Sequence, residues 1–322
     1  MGPVQLLVVV LGAALLAGCG QAPPAGTSAT AGLTAKAPDP TRSASGRGPA
    51  VPASPAGSAS PALPDASGLA RRAEAAARAS SSGPRVLGAD VSWPQCPKGM
   101  GIPQKRSKGL PMPGRAARFV VIGLTNSPSF TVNPCLRSQV DWVRTRHLRA
   151  SAYSVVSYPD DRTASALGTR GPFPADDRLG RLRNVGYRAA AFNVASMRRA
   201  GLLSPAVWID VESVPGFPWS NDTTANAAVV QGAARGYDDA GLMVGVYSTP
   251  ALWRSVVGDL RLGVPEWRAA GQTSMAEALR RCRPDWSIQG GTAVLGQWVE
   301  GTSDRDVTCP GAPASGRWFH QY

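Results

Sequence analysis

Large apolar residues are sparse over the first part of the chain and become dense from Val86 onward. From there, short apolar runs alternate with longer stretches in which apolar residues recur every three or four positions. The short runs predict strands at Val86–Trp93, Phe119–Thr125, Ala150–Ser157, Ala206–Glu212 and Met243–Ser248, near Trp267, and at Val294–Val299. Phe119-Val120-Val121-Ile122 is apolar at consecutive positions, and so on both faces, as a parallel strand buried beneath helices requires. Asn133 as N-cap, with Pro134 at the first helical position, opens a predicted helix that runs to His147. Leu179, Leu182, Val185, Ala189 and Phe192 share one face of a second helix, which ends before Gly201. A third runs from about Thr224 to Ala240, with Gly241 as its C-cap. Strand–helix alternation sustained over 85–322 points to an α/β barrel first and a doubly wound open sheet second. No GxGxxG or Walker pattern supports the second.

The residues before this domain read differently. Val4 to Gly18 is apolar or small throughout apart from Gln5, and is shorter than the roughly 20 residues that span a bilayer. It ends Leu16-Ala17-Gly18-Cys19, which resembles a bacterial lipobox, although Met1 to Gln5 carry no Lys or Arg. The resemblance implies a signal peptide over 1–19, cleavage before Cys19, and a lipid on that residue. Residues 21–65 hold 9 Pro, 12 Ala, 6 Ser and 5 Gly. With so few large apolar side chains, burial cannot offset ordering entropy, so 20–84 is expected to be a disordered tether. The domain at 85–322 would then sit outside the cytoplasmic membrane.

Charge changes this picture little. The 322 residues carry 34 Lys plus Arg against 21 Asp plus Glu, a formal charge of +13. Thirty of those cations are Arg in a chain rich in Ala, Gly and Pro, so GC-rich coding accounts for much of the excess. The cations are spread out and no nucleic-acid module is recognisable, so no nucleic-acid partner is expected. Two histidines, His147 and His320, exclude a multi-histidine metal site, and there is no HExxH or CxxC pattern. No metal and no cofactor are expected. Beyond Cys19, four cysteines remain, an even number that in an exported domain reads as two disulfides with three possible connectivities. Cys96 and Cys135 follow the first and second strands, at neighbouring strand ends of a barrel, while Cys282 and Cys309 bracket its last βα region. The expected pairs are therefore Cys96–Cys135 and Cys282–Cys309.

Candidate chemistry lies in the carboxylates. Asp90 stands near the end of the first strand. Asp210 and Glu212 are two apart on the fourth, so both leave the same face with Cα atoms about 6.6 Å apart. Acids at the C-terminal end of a barrel strand are placed for general acid–base work. Close like charges oppose joint ionisation, so one should keep its proton. Glycoside hydrolysis uses such a pair.

Several motifs extend that reading. Gly88-Ala89-Asp90-Val91-Ser92 with Gln95, Asp210-Val211-Glu212, Val246-Tyr247-Ser248 followed by Trp253, and Gly296-Gln297-Trp298 resemble glycoside hydrolase family 25, the lysozyme-type muramidases. Phe119–Ile122 and Ala152-Tyr153 resemble that family's second and third strands, so the likeness runs in order across 85–322. A closer fit is a set of actinobacterial proteins described as glycoside-hydrolase-like. The resemblance implies a modified TIM-type (β/α) barrel, about five βα units followed by mainly β strands. It also implies Glu212 as general acid, Asp210 as the second carboxylate, and Asp90 and Asp306 as the first- and last-strand acids. Tyr153, Tyr247, Gln297 and Trp298 would line a sugar groove. The implied function is that of a monomeric, membrane-anchored muramidase acting on β-1,4 bonds of peptidoglycan; the alternative is a non-catalytic module that binds the glycan. One departure stands out: residues 98–116, with Lys98, Lys105, Arg106, Lys108 and Arg115, form a long basic insertion, expected to contact anionic wall polymer.

Overall fold

The computed structural model describes residues 68, 69, 71, 85–127, 130–312 and 317–322. Cys19, the signal segment and nearly all of the expected tether lie outside the described residues. Among the described residues nine strands form one sheet: β1 (Leu87–Val91), β2 (Phe119–Gly123), β3 (Arg149–Val155), β4 (Ala206–Asp210), β5 (Met243–Ser248), β6 (Glu266–Ala269), β7 (Ala293–Glu300), β8 (Ser303–Thr308) and β9 (His320–Gln321). Strands β1 to β6 each pair in parallel with their successor, and β8 closes the ring antiparallel to both β7 and β1. The result is a closed eight-stranded barrel. Strand β9 adds antiparallel to the start of β3, at Arg149 and Ala150.

Helices follow five of the strands. They are α1 (Leu136–Thr145) after β2, α2 (Asp161–Leu167) and α3 (Arg178–Ala200) after β3, α4 (Thr223–Asp239) after β4, α5 (Pro250–Val257) after β5, and α6 (Met275–Arg280) after β6. After β1 there is only a short 3-10 turn, Trp93–Gln95, and a long loop. The modified barrel and its all-β closure therefore match the expected architecture. The start of α1 differs from the expected Asn133–Pro134. Asn133 is buried and does other work: its amide donates to the Gly123 carbonyl (2.8 Å) and to Gln139 Oε1 (2.7 Å), locking the end of β2. Asp177, Asp222 and Thr249 do cap α3, α4 and α5 with side-chain acceptors.

Two apolar layers hold the barrel. The outer one lies between strands and helices and gathers Val120, Ile122, Val207, Ile209, Val244 and Val246 with Val140, Val143, Met197 and Val229. Leu69, upstream of the expected boundary at 85, is buried in this layer. The inner layer fills the barrel with Phe119, Val121, Trp208, Trp267, Leu295, Trp318 and Phe319. Gly245 makes room for Trp208, whose ring occupies the space a Cβ would need. Trp318 lies 5.0 Å from Trp208 and Phe319 lies 4.6 Å from Phe119, ring centre to ring centre. The C-terminal segment thus plugs the N-terminal mouth of the barrel and leaves the opposite mouth to polar residues.

Both expected disulfides are present. Cys96–Cys135 ties the loop after β1 to the start of α1, and Cys282–Cys309 ties the end of α6 to the end of β8, each with Cα atoms 5.5 Å apart.

Candidate active site

Strand alternation builds the site. On β4 the inward positions are Ala206, Trp208 and Asp210, with Trp208 as packing and Asp210 one rung nearer the C-terminal mouth. Glu212 follows two residues on, just past the strand, and is half-buried. The backbone there is held by Ser248 Oγ donating to the Val211 carbonyl (2.8 Å) and Trp219 Nε1 donating to the Glu212 carbonyl (2.9 Å).

Asp90 arrives from β1 and Asp306 from β8, where Asp306 stands opposite both Gly88 and Gln297. Gln297 donates through Nε2 to Asp90 Oδ2 (2.9 Å) and accepts from the Tyr247 hydroxyl (2.7 Å). Trp267 is the floor. Its Nε1 donates to Asp306 Oδ1 (2.8 Å), and its ring meets those of Tyr247 (4.5 Å), Tyr153 (5.7 Å) and Trp208 (6.2 Å). Gly123 leaves Tyr153 and Ser92 the space they share.

Burial dominates the electrostatics. It pushes Glu212 up to about 7, with Lys105 opposing and Asp304 adding to the rise. Asp210 is raised well above its ordinary value by burial and then by Glu212, again against Lys105. Asp90 is raised by burial and by Asp304, Asp306 and Asp210, and lowered in part by the Gln297 hydrogen bond. Asp306 rises through burial despite its bond from Trp267, and burial takes Asp304 to about 6. Asp210 Oδ1 and Asp306 Oδ2 are buried and have no partner among the described residues. A lone buried carboxylate oxygen costs far more charged than protonated, so this geometry favours the protonated form at Asp210 and Asp306. Among the described residues no group of His, Cys, Asp and Glu is arranged to hold a metal ion.

Of the residues expected from sequence, Asp90, Asp210, Glu212, Asp306, Tyr153, Tyr247 and Gln297 converge on this mouth. Trp298 does not. Neighbouring residues on a strand point to opposite faces, so with Gln297 inside, Trp298 packs outside against Ala270, Ala278, Val307 and Leu279. The basic insertion also departs from expectation at two residues. Lys105 is half-buried, its Nζ 5.4 Å from the centre of the Trp93 ring and 5.9 Å from that of Phe217, and Arg106 donates to the carbonyls of Gly99 (3.1 Å) and Gly101 (2.6 Å). Lys98, Lys108 and Arg115 remain exposed. Asp304, Lys105 and Trp267 were not among the expected site residues. Asp304 had a legible signal, because it sits two before Asp306 on one strand face; the other two had none.

Fold and site together define a class: a closed α/β barrel with protonatable carboxyls clustered at its C-terminal mouth. No family model matches the chain, and no curated protein matches it. Solved structures do. The chain is similar to a family 25 lysozyme from Aspergillus fumigatus, at 16% identity and TM-score 0.44, over 70% of this chain and 94% of that one. It is similar to the bacterial lysozyme of Streptomyces coelicolor, also at 16% and 0.44, over 69% and 90%. It is similar to the modular autolysin LytC of Streptococcus pneumoniae at 13% and 0.43, over 69% of this chain, and spans 46% of that protein's length. At these identities and scores the likeness carries no weight for activity or for the role of any residue.

Proposed function

We propose that this chain is an exported glycoside hydrolase that cleaves β-1,4 bonds between amino sugars of peptidoglycan as a monomer, anchored to the membrane by a lipid on Cys19. One observation carries the hydrolase reading: at the open mouth of the barrel a half-buried glutamic acid, Glu212, stands two residues from a second, buried carboxyl, Asp210, and burial pushes Glu212 up to about 7. Glu212 is the general acid and protonates the leaving glycosidic oxygen. Asp210, or the N-acetyl group of the substrate itself, stabilises the oxocarbenium-like state that follows. Asp90 is oriented by Gln297, which Tyr247 orients in turn. The ring faces of Tyr153 and Tyr247 suit the apolar face of a pyranose. Two disulfides fit the oxidising surroundings of an exported domain.

The test is digestion of purified peptidoglycan by wild type and by Glu212→Gln, reading new reducing ends and the sugar that bears them. Wild type should release ends, and the variant should lose about 100-fold or more of that rate. If neither protein cleaves while both still bind the glycan, the chain is a binding module and the hydrolase reading is wrong.

A further inference from the structure

The outer apolar layer reaches the surface in a groove of about 760 Å³ between the end of the β1–β2 loop and the end of α1. Its floor is Met112, Trp142 and Leu148, each half-buried and packed against that layer. Arg118 directly precedes β2 and Leu148 directly precedes β3. The groove therefore lies at the N-terminal ends of these strands, whereas the acids gather at the other mouth.

Local structure sets three guanidinium groups, those of Arg115, Arg118 and Arg146, around this floor. The Ala117 amide donates to the Gly114 carbonyl (3.2 Å), closing a turn that carries Arg115. The Arg118 amide donates to the Leu87 carbonyl (2.8 Å), which fixes that residue at the edge of β1. Arg146 lies over Trp142, its guanidinium carbon 4.2 Å from the ring centre. Past Arg146 the chain reverses: His147 sits at φ 51°, and the Leu148 amide returns to the Val143 carbonyl (3.2 Å), which brings Leu148 back to the floor. All three arginines are exposed, and among the described residues none of them pairs with a carboxylate. No Asp or Glu lines the groove, and Asp141 on α1 pairs with Arg144 instead (3.3 Å).

Unpaired cations around an apolar floor call for an anion with a carbon-rich body. Each guanidinium offers paired N–H donors that match the two free oxygens of a phosphodiester, and the floor suits the C–H groups of a polyol. A bilayer fits less well. It is flat on this scale and takes protruding apolar side chains, yet none of the exposed large hydrophobic residues lines the groove. We propose that this groove is a second binding site, which takes a polyol-phosphate chain through Arg115, Arg118 and Arg146. Of the cations in the 98–116 insertion, only Arg115 lines it. The proposal goes beyond the hydrolase reading and does not depend on cleavage.

The test is binding of soluble poly(glycerol phosphate) to the full chain. Wild type is set against the combined Arg115→Gln, Arg118→Gln, Arg146→Gln variant and against a combined Arg162→Gln, Arg170→Gln, Arg254→Gln control, which removes the same charge from exposed positions elsewhere. The groove variant should bind about 30-fold more weakly and with a flatter salt dependence, and the control should stay within about threefold of wild type. In wild type the polymer should shield Arg115, Arg118 and Arg146 from phenylglyoxal, read by mass spectrometry, a result that needs no variant to fold. Equal weakening in both variants, or shielding spread over all the arginines, would mean attraction to net charge and overturns the proposal. So does a polymer that does not bind, or equal affinity for polygalacturonate, a carboxylate chain. Vesicles of phosphatidylglycerol in phosphatidylcholine are the remaining arm. Vesicle capture that the groove variant loses, with no polymer bound, would assign these arginines to a membrane and overturns it as well.

Discussion

Glu212 holds its proton to about pH 7 in the folded protein, whereas its ordinary value is 4.5. As pH rises between those values the unfolded chain releases this proton first, so ionisation favours unfolding. Stability from this group is therefore full at pH 4, falls on the way up, and is at its lowest above pH 7. The gap corresponds to about 3 kcal/mol, less whatever solvent at the half-open mouth screens. Glu212→Gln removes the titration, so the variant should match wild type at pH 4 and exceed it by about 1–3 kcal/mol at pH 8. Urea midpoints at the two pH values measure this, and a variant that is weaker at pH 8 would contradict it. The same residue scale shows what a strand pattern can and cannot reveal. Asp210 and Glu212 share a face by period two wherever the strand lies, so their pairing was legible. Between Gln297 and Trp298 the sequence offers no such choice, because one of two neighbours must face in and only the register against Asp306 and Arg305 decides which.

At the scale of elements, the longest-range ordering comes from contacts that no local pattern announces. Gly232 on α4 and Gly186 on α3 bring two helices together so closely that a Cβ at either would strike the partner's backbone, at Arg183 or Val229. Strand β6 is only four residues long, yet it carries Glu266, fully buried and paired with Arg268 at 2.7 Å. Glu266 also accepts from the amides of Ile288, Gln289 and Gly291, each at 2.8 Å, while Arg268 donates to the carbonyls of Arg281 (2.8 Å) and Arg283 (2.6 Å). This network takes the place of a regular helix-to-strand connection and shapes the chain from 281 to 291. Removing one member leaves a buried charge and several amides without partners. Glu266→Ala should therefore cost about 3–5 kcal/mol of unfolding free energy, read as a fall in denaturant midpoint. A loss under about 1 kcal/mol would mean that solvent or rearrangement replaces the network.

On the scale of the whole molecule, closure of the ring sets the function. A closed barrel has two mouths, and this one is plugged at the first by Trp318 and Phe319, so polar chemistry can gather only at the second. The acids enter from β1, β4 and β8, strands that neighbour one another or face one another only after closure. The proposed anchor belongs to this scale too, because a lipid on Cys19 would fix the whole molecule to a membrane. Cys19→Ala should move the protein from the membrane fraction to the soluble one without changing its melting temperature. Membrane association unchanged by that substitution would refute the lipid.

The chain by itself determined its alternating class, its first seven strands, its disulfide partners and the shared face of the acids on the fourth, but not the closing strands β8 and β9. These follow from local periodicity and from neighbours in sequence, and both survive any detail of packing. Tertiary structure alone decided that Trp298 leaves the groove, that Trp267 becomes its floor and that Lys105 meets the rings of Trp93 and Phe217. Each of these depends on segments far apart in sequence meeting at a particular register, and that meeting is set by closure of the ring and by side-chain volume inside it.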